Sequence, residues 1–226
     1  LRQAARQEGS KAAAAASRCV DAIVKEGANP LPAAAARLLA LRRPEGTIEA
    51  LLAYLPYAES EGLAGQIVEL LTAIGCPGGV GAEALVKALG DKVPARRAGA
   101  AEALCRGNAR DQLPAVRKLL KDGDAEVRLR TALALAARRE KETIPVLIAL
   151  LGEVPMERAY DVEDFLSNLA GDNAPSAQLS ADAGGRARCV EAWKGWWRDH
   201  GAALDLAKID LSQSPLGRLL VVENYD

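Results

Sequence analysis

Catalysis requires groups that titrate, attack or coordinate, and this chain of 226 residues offers few of them in workable arrangements. It has one histidine, His200, so no Ser/Cys–His–acid triad and no cage of two or more histidines can be built except around that residue. Cys19, Cys76, Cys105 and Cys189 are 57, 29 and 84 residues apart and form no Cys-x-x-Cys pair, which argues against zinc. In a helix-rich chain they are expected to be small buried hydrophobes with free thiols rather than two disulfides. No phosphate-binding glycine loop occurs. The Gly75 to Gly81 stretch (GCPGGVG) lacks a preceding strand and a following lysine, and is expected to be a turn. No catalytic, metal-ligating or cofactor-binding residue is assigned, and no cofactor is expected.

The elements that carry these residues are helices. The chain contains 46 Ala and 32 Leu but only eight Phe, Tyr and Trp, a composition of helix formers. Half of it is hydrophobic, which opposes disorder. No run approaches the roughly 18 apolar residues of a membrane span, so a soluble chain with no membrane partner is expected. Lys plus Arg number 29 against 30 Asp plus Glu, so no global attraction to polyanions follows. Leu1 to Gly9 lacks a signal-peptide core; the compartment stays open, with a lean to the cytoplasm.

Self-similarity appears at a period of 31 residues. Gly90, Asp91, Pro94, Ala95, Arg97, Ala101, Ala103 and Leu104 fall opposite Lys121, Asp122, Ala125, Glu126, Arg128, Ala132, Ala134 and Leu135, with five of the eight identical. Leu113-Pro114 and Leu119-Leu120 likewise fall opposite Ile144-Pro145 and Leu150-Leu151. Apolar residues recur at helical spacing, break at a Gly or Asp turn and resume, so the unit is a helical hairpin. Helix pairs are expected at 10–26 with 32–42, 46–55 with 60–74, 80–90 with 94–106, 110–121 with 124–139, and 141–152 with 155–170. Asp124 is placed to N-cap its helix, and Gly90 and Gly152 to end theirs.

The L-P-x-x-x-x-L-L, D-x-x-x-x-V-R and A-x-A-L elements resemble HEAT repeats of the bacterial phycobilisome-lyase-like type, over about residues 46 to 170 and most closely over 85 to 152. Arg96 stands where that family usually has Val, and Ala159 where its Arg is expected. The resemblance implies an all-α fold, an α-solenoid of about five hairpins over residues 1–170, with the second helices lining a concave face. It also implies that Asp91, Arg97, Asp122 and Arg128 form a structural ladder between repeats. HEAT-fold hydroxylases bind iron with His-Glu pairs, and no such step occurs here. The bilin lyases that name the repeat type lend no activity by themselves, because function lives in sites grafted onto the fold.

Second-helix positions outside the core pattern are where a ligand would be met. Glu102, Arg106, Arg130, Leu133, Tyr160, Asp161 and Asp164 are the candidates, with Tyr160 and Leu133 as anchors and the charges setting orientation. A protein or peptide partner for a monomeric, non-catalytic scaffold is the leading expectation. The alternative is nucleic acid on Arg96, Arg106, Arg117, Lys118, Lys121 and Arg130, within a stretch (92–141) of net charge +7. The segment 142–182 carries −7, which opposes a nucleic-acid groove.

Toward the C-terminus, 171–185 is expected to be an inserted loop and 186–201 a capping helix whose Trp193, Trp196 and Trp197 share one face. His200 ends that helix. Residues 202–226 are expected to be a linker and a strand-like tail, GRLLVVENYD being the one strand-like run. That order resembles larger bacterial HEAT proteins in which a β-propeller-like region follows the solenoid. The chain is then expected to be a piece of such a protein, with Leu219 to Val222 as the first strand of the next domain.

Overall fold

A computed structural model describes residues 45–58 and 60–206. The expected helices at 10–26 and 32–42 and the strand-like tail after 206 lie outside the described residues. Those described contain helices and no strand. They are α1 (Thr47–Tyr54), α2 (Glu61–Gly75), α3 (Glu83–Ala88), α4 (Pro94–Arg106), α5 (Leu113–Lys118), α6 (Ala125–Ala136), α7 (Thr143–Leu150), α8 (Met156–Ala170) and α9 (Ala183–His200). This is an all-α solenoid, as the repeat pattern predicts. The described residues divide into two compact units, one up to Ala134 and one from Leu135, the boundary falling within α6.

Local chemistry sets the helix starts. The Ser60 side chain accepts from the Leu63 N–H at 3.2 Å and opens α2. Pro94 occupies the first turn of α4, where no intrahelical donor is needed. Asp124 Oδ1 accepts from Glu126 N (2.9 Å) and Val127 N (3.1 Å), so it caps α6 at the position the sequence marks. The GCPGGVG stretch is a turn in which Gly78 takes φ 63°, a left-handed conformation that suits glycine.

In the first unit α1 packs on α2, α3 and α4, and α4 packs also on α2, α3 and α5. Leu51, Ile67, Val68, Leu71, Leu85 and Leu104 are fully enclosed there. Each such side chain contributes about 1.5–3 kcal/mol of burial free energy. Residues 98 to 105 of α4 are all buried, so this helix is covered on every side. Gly99 allows a close approach: a Cβ there would overlap Leu55 Cδ1.

The second unit is built on α7, against which α8 and α9 both pack. Ile144, Leu147, Phe165, Leu166 and Trp193 form its core. Helix α9 begins at Ala183, three residues before the expected 186, because Asp182 accepts from Gly185 N at 2.7 Å and draws both glycines into the first turn. The segment before it is tethered, with Leu179 buried and its N–H donating to Glu163 Oε1 at 3.0 Å.

Candidate functional site

Two sets of second-helix residues hold the positions marked in the sequence, one in each unit. In the first unit Glu102 of α4 accepts from Arg130 Nε of α6 at 2.5 Å, and Arg106 Nη2 approaches its other oxygen at 3.8 Å. Glu102 is only 8% exposed, and the Arg130 side chain 16%. A buried carboxylate needs such a partner, since an uncompensated charge out of water is strongly destabilising. Arg106, with 48% of its side chain exposed, is the member of the trio that faces solvent.

Leu133, expected to be an exposed anchor, is corrected by the structure: at 8% exposure it belongs to the core. The error has a physical origin. A two-sided helical wheel assigns one face to water, whereas the second helices of a stack are flanked as well as backed by neighbours, and Leu129 and Leu133 are both covered.

In the second unit Tyr160 is 52% exposed on α8, while Val162, Phe165, Leu166 and Leu169 of the same helix are buried. Asp161 accepts from Arg158 at 3.3 Å one turn back, and Asp164 is exposed. Tyr160 thus shares its face of α8 with Asp164, one turn on, while Asp161 is engaged with Arg158.

The Asp and Arg residues of the repeat take a defined pattern. Arg97 donates through Nε and Nη2 to both oxygens of Asp122, at 2.8 and 2.7 Å, a bidentate pair reaching from one repeat to the next. Its Nη1 donates to the carbonyl of Asp91 in its own repeat at 2.8 Å, and Arg128 Nη1 does the same to the Asp122 carbonyl at 2.7 Å. Burial works to raise the Asp122 carboxyl pKa, but hydrogen bonds from Arg97 and the Asp124 backbone, with the nearby guanidinium charges, outweigh it and hold it below the usual range. Asp91 turns its carboxylate to Val93 N (2.8 Å) and, more distantly, to Arg96 (3.5 Å).

Trp193 and Trp196 are 1% and 5% exposed and meet edge to face with centroids 5.4 Å apart, while Trp197 is half-buried. His200 stacks on Trp196 and faces its carbonyl through Nδ1 at 3.1 Å. Cys76, Cys105 and Cys189 are free and buried; Cys19 lies outside the described residues. Burial, with the Glu163 carboxylate beside it, pushes the Cys189 thiol up to about 12, far from a reactive thiolate. Among the described residues no group of three or more His, Cys, Asp or Glu is arranged to hold a metal, and no helix is long and apolar enough to cross a membrane.

Three side chains escaped the sequence reading. Arg158 holds Asp161, and Glu163 fixes both Leu179 and Cys189. Arg186 of α9 donates from Nε to the Leu151 carbonyl at 2.5 Å and from Nη2 to the Val154 carbonyl. The last two act over 16 to 35 residues, and no local pattern announces them.

Comparison with known proteins agrees with this architecture. No curated protein and no solved structure matches the chain. A family model of HEAT repeats matches residues 82–164, the segment that contains the ladder and both sets of second-helix residues, and the chain is similar to HEAT repeats over that span.

Proposed function

We propose that this protein is a non-catalytic scaffold that binds a protein or peptide through exposed side chains of its second helices. HEAT repeats commonly serve as scaffold or interaction modules, and their fold is generally non-catalytic. The observation that carries the reading is Tyr160: a half-exposed aromatic on a helix that buries Val162, Phe165, Leu166 and Leu169, with the exposed Asp164 one turn on. An aromatic anchor with a carboxylate one turn on suits a basic peptide segment, whose cations find both the ring face and the charge. In the first unit Arg106 offers a solvent-facing cation of its own. The nucleic-acid reading draws less support, because Arg97 and Arg130 of the basic stretch are engaged with Asp122 and Glu102.

The test is fluorescence anisotropy of labelled basic and acidic peptide pools with the full chain and with Tyr160→Ala and Asp164→Lys. Tyr160→Ala is expected to weaken basic-peptide binding about tenfold or more with unchanged helical circular dichroism. Binding that survives both substitutions removes α8 from the interface, and a preference for single-stranded DNA that fades with salt revives the alternative.

A further inference from the structure

The first unit contains a cleft that none of the preceding roles uses. It lies between α1 and α3, has a volume of ≈ 270 Å³, and is floored by Leu52 and Ala53 on one side and Ala84 and Ala88 on the other. Arg96, from the first turn of α4, also lines it. One repeat later the same position is Val127, which is fully buried, so an arginine stands where the repeat calls for a core aliphatic. Its Nε–H is buried and finds no acceptor, and its Nη1 is a long 3.5 Å from Asp91 Oδ2. Asp91 is already committed, its other oxygen accepting from Val93 N at 2.8 Å. An arginine that lines a cleft while its guanidinium is this weakly engaged, with 29% of the side chain still exposed, has donor capacity left for an external carboxylate.

We infer that this cleft binds a small aliphatic monocarboxylate, its carboxylate on Arg96 and its hydrocarbon chain along the Leu52, Ala53, Ala84 and Ala88 floor. Lys87 lines the cleft as a second cation. Glu49 and Asp91 also line it and give the site its selectivity, since they repel a second negative charge and so disfavour dicarboxylates and phosphate esters. The site is independent of the Tyr160 reading and stands or falls without it.

Hexanoate titrated into the full chain, followed by ¹⁵N–¹H NMR shifts of residues 47–54 and 83–97, tests the assignment. Saturable shifts at millimolar concentration are expected, a range suited to so small a ligand. Arg96→Val is expected to keep the helical fold and lose at least tenfold in affinity, whereas Lys118→Gln, exposed on α5, leaves it unchanged. Adipate is expected to bind more weakly than hexanoate. No saturable shifts, equal binding by Arg96→Val, or equal binding of hexylamine overturns the proposal. So does binding of a peptide through its free C-terminal carboxylate with none of hexanoate, which makes the occupant a chain end.

Discussion

The two units fasten their turns by different means. In the first, each turn is served by its own repeat: Arg97 and Arg128 bond the carbonyls of Asp91 and Asp122, and Arg97 also reaches forward to the Asp122 carboxylate. In the second, Ala159 occupies the position of that arginine and Glu153 that of the aspartate. The carbonyls of Leu151 and Val154 in the corresponding turn are instead taken by Arg186, which arrives from α9 more than 30 residues later. Where the repeat signature decays, α9 supplies the missing guanidinium along with two buried indoles. A repeat position is thus a requirement for a donor at a turn, and any element able to deliver one can fill it.

The contrast is broken most severely at Trp193. Trp193→Ala is expected to cost about 3–5 kcal/mol, because the ring is 1% exposed at the centre of the second unit, and chemical denaturation with tryptophan fluorescence reads the loss. Arg97→Met is expected to cost about 2–3 kcal/mol by leaving a mostly buried carboxylate unpaired, as hydrogen bonds to charged groups in this setting suggest. The same pair gives a pH signature. The folded pKa of Asp122 is depressed, so its stabilisation is full above the ordinary carboxylate pKa and is lost as pH falls through the folded value. Asp122→Asn is therefore expected to flatten the acid limb of the stability profile, and an unchanged limb shows that other carboxylates set it. The smallest effect is at the cap: Asp124→Ala removes two hydrogen bonds to the first turn of α6 and is expected to cost about 1 kcal/mol by thermal melting.

The parts legible in the sequence are those written within one turn or one period. The hairpins, the Asp124 cap and the paired Asp and Arg all fall in that class, since a 31-residue repeat displays its own register. The start of α9 was obscured because Gly184 and Gly185 resemble loop residues until Asp182 is seen to accept from the helix. Glu102 and Arg130 were marked as ligand contacts, and their pairing across 28 residues became visible only once α4 and α6 were placed side by side. Leu133 falls outside the core pattern of a single helix, and its burial comes from neighbours that such a pattern does not contain. Tyr160, the other expected anchor, is 52% exposed.

Gly99 carries a consequence for how such a chain can lengthen. One period later its place is taken by Arg130, and one period after that by Asp161. A stack grows by duplicating a hairpin, and a copy of 111–138 seated where 80–107 now stands would drive a guanidinium chain into the space that Leu55 fills. The hairpin bearing Gly99 therefore keeps its seat beside residues 47–57. A single hydrogen in place of a side chain thereby decides which hairpin of a periodic molecule can sit against Leu55.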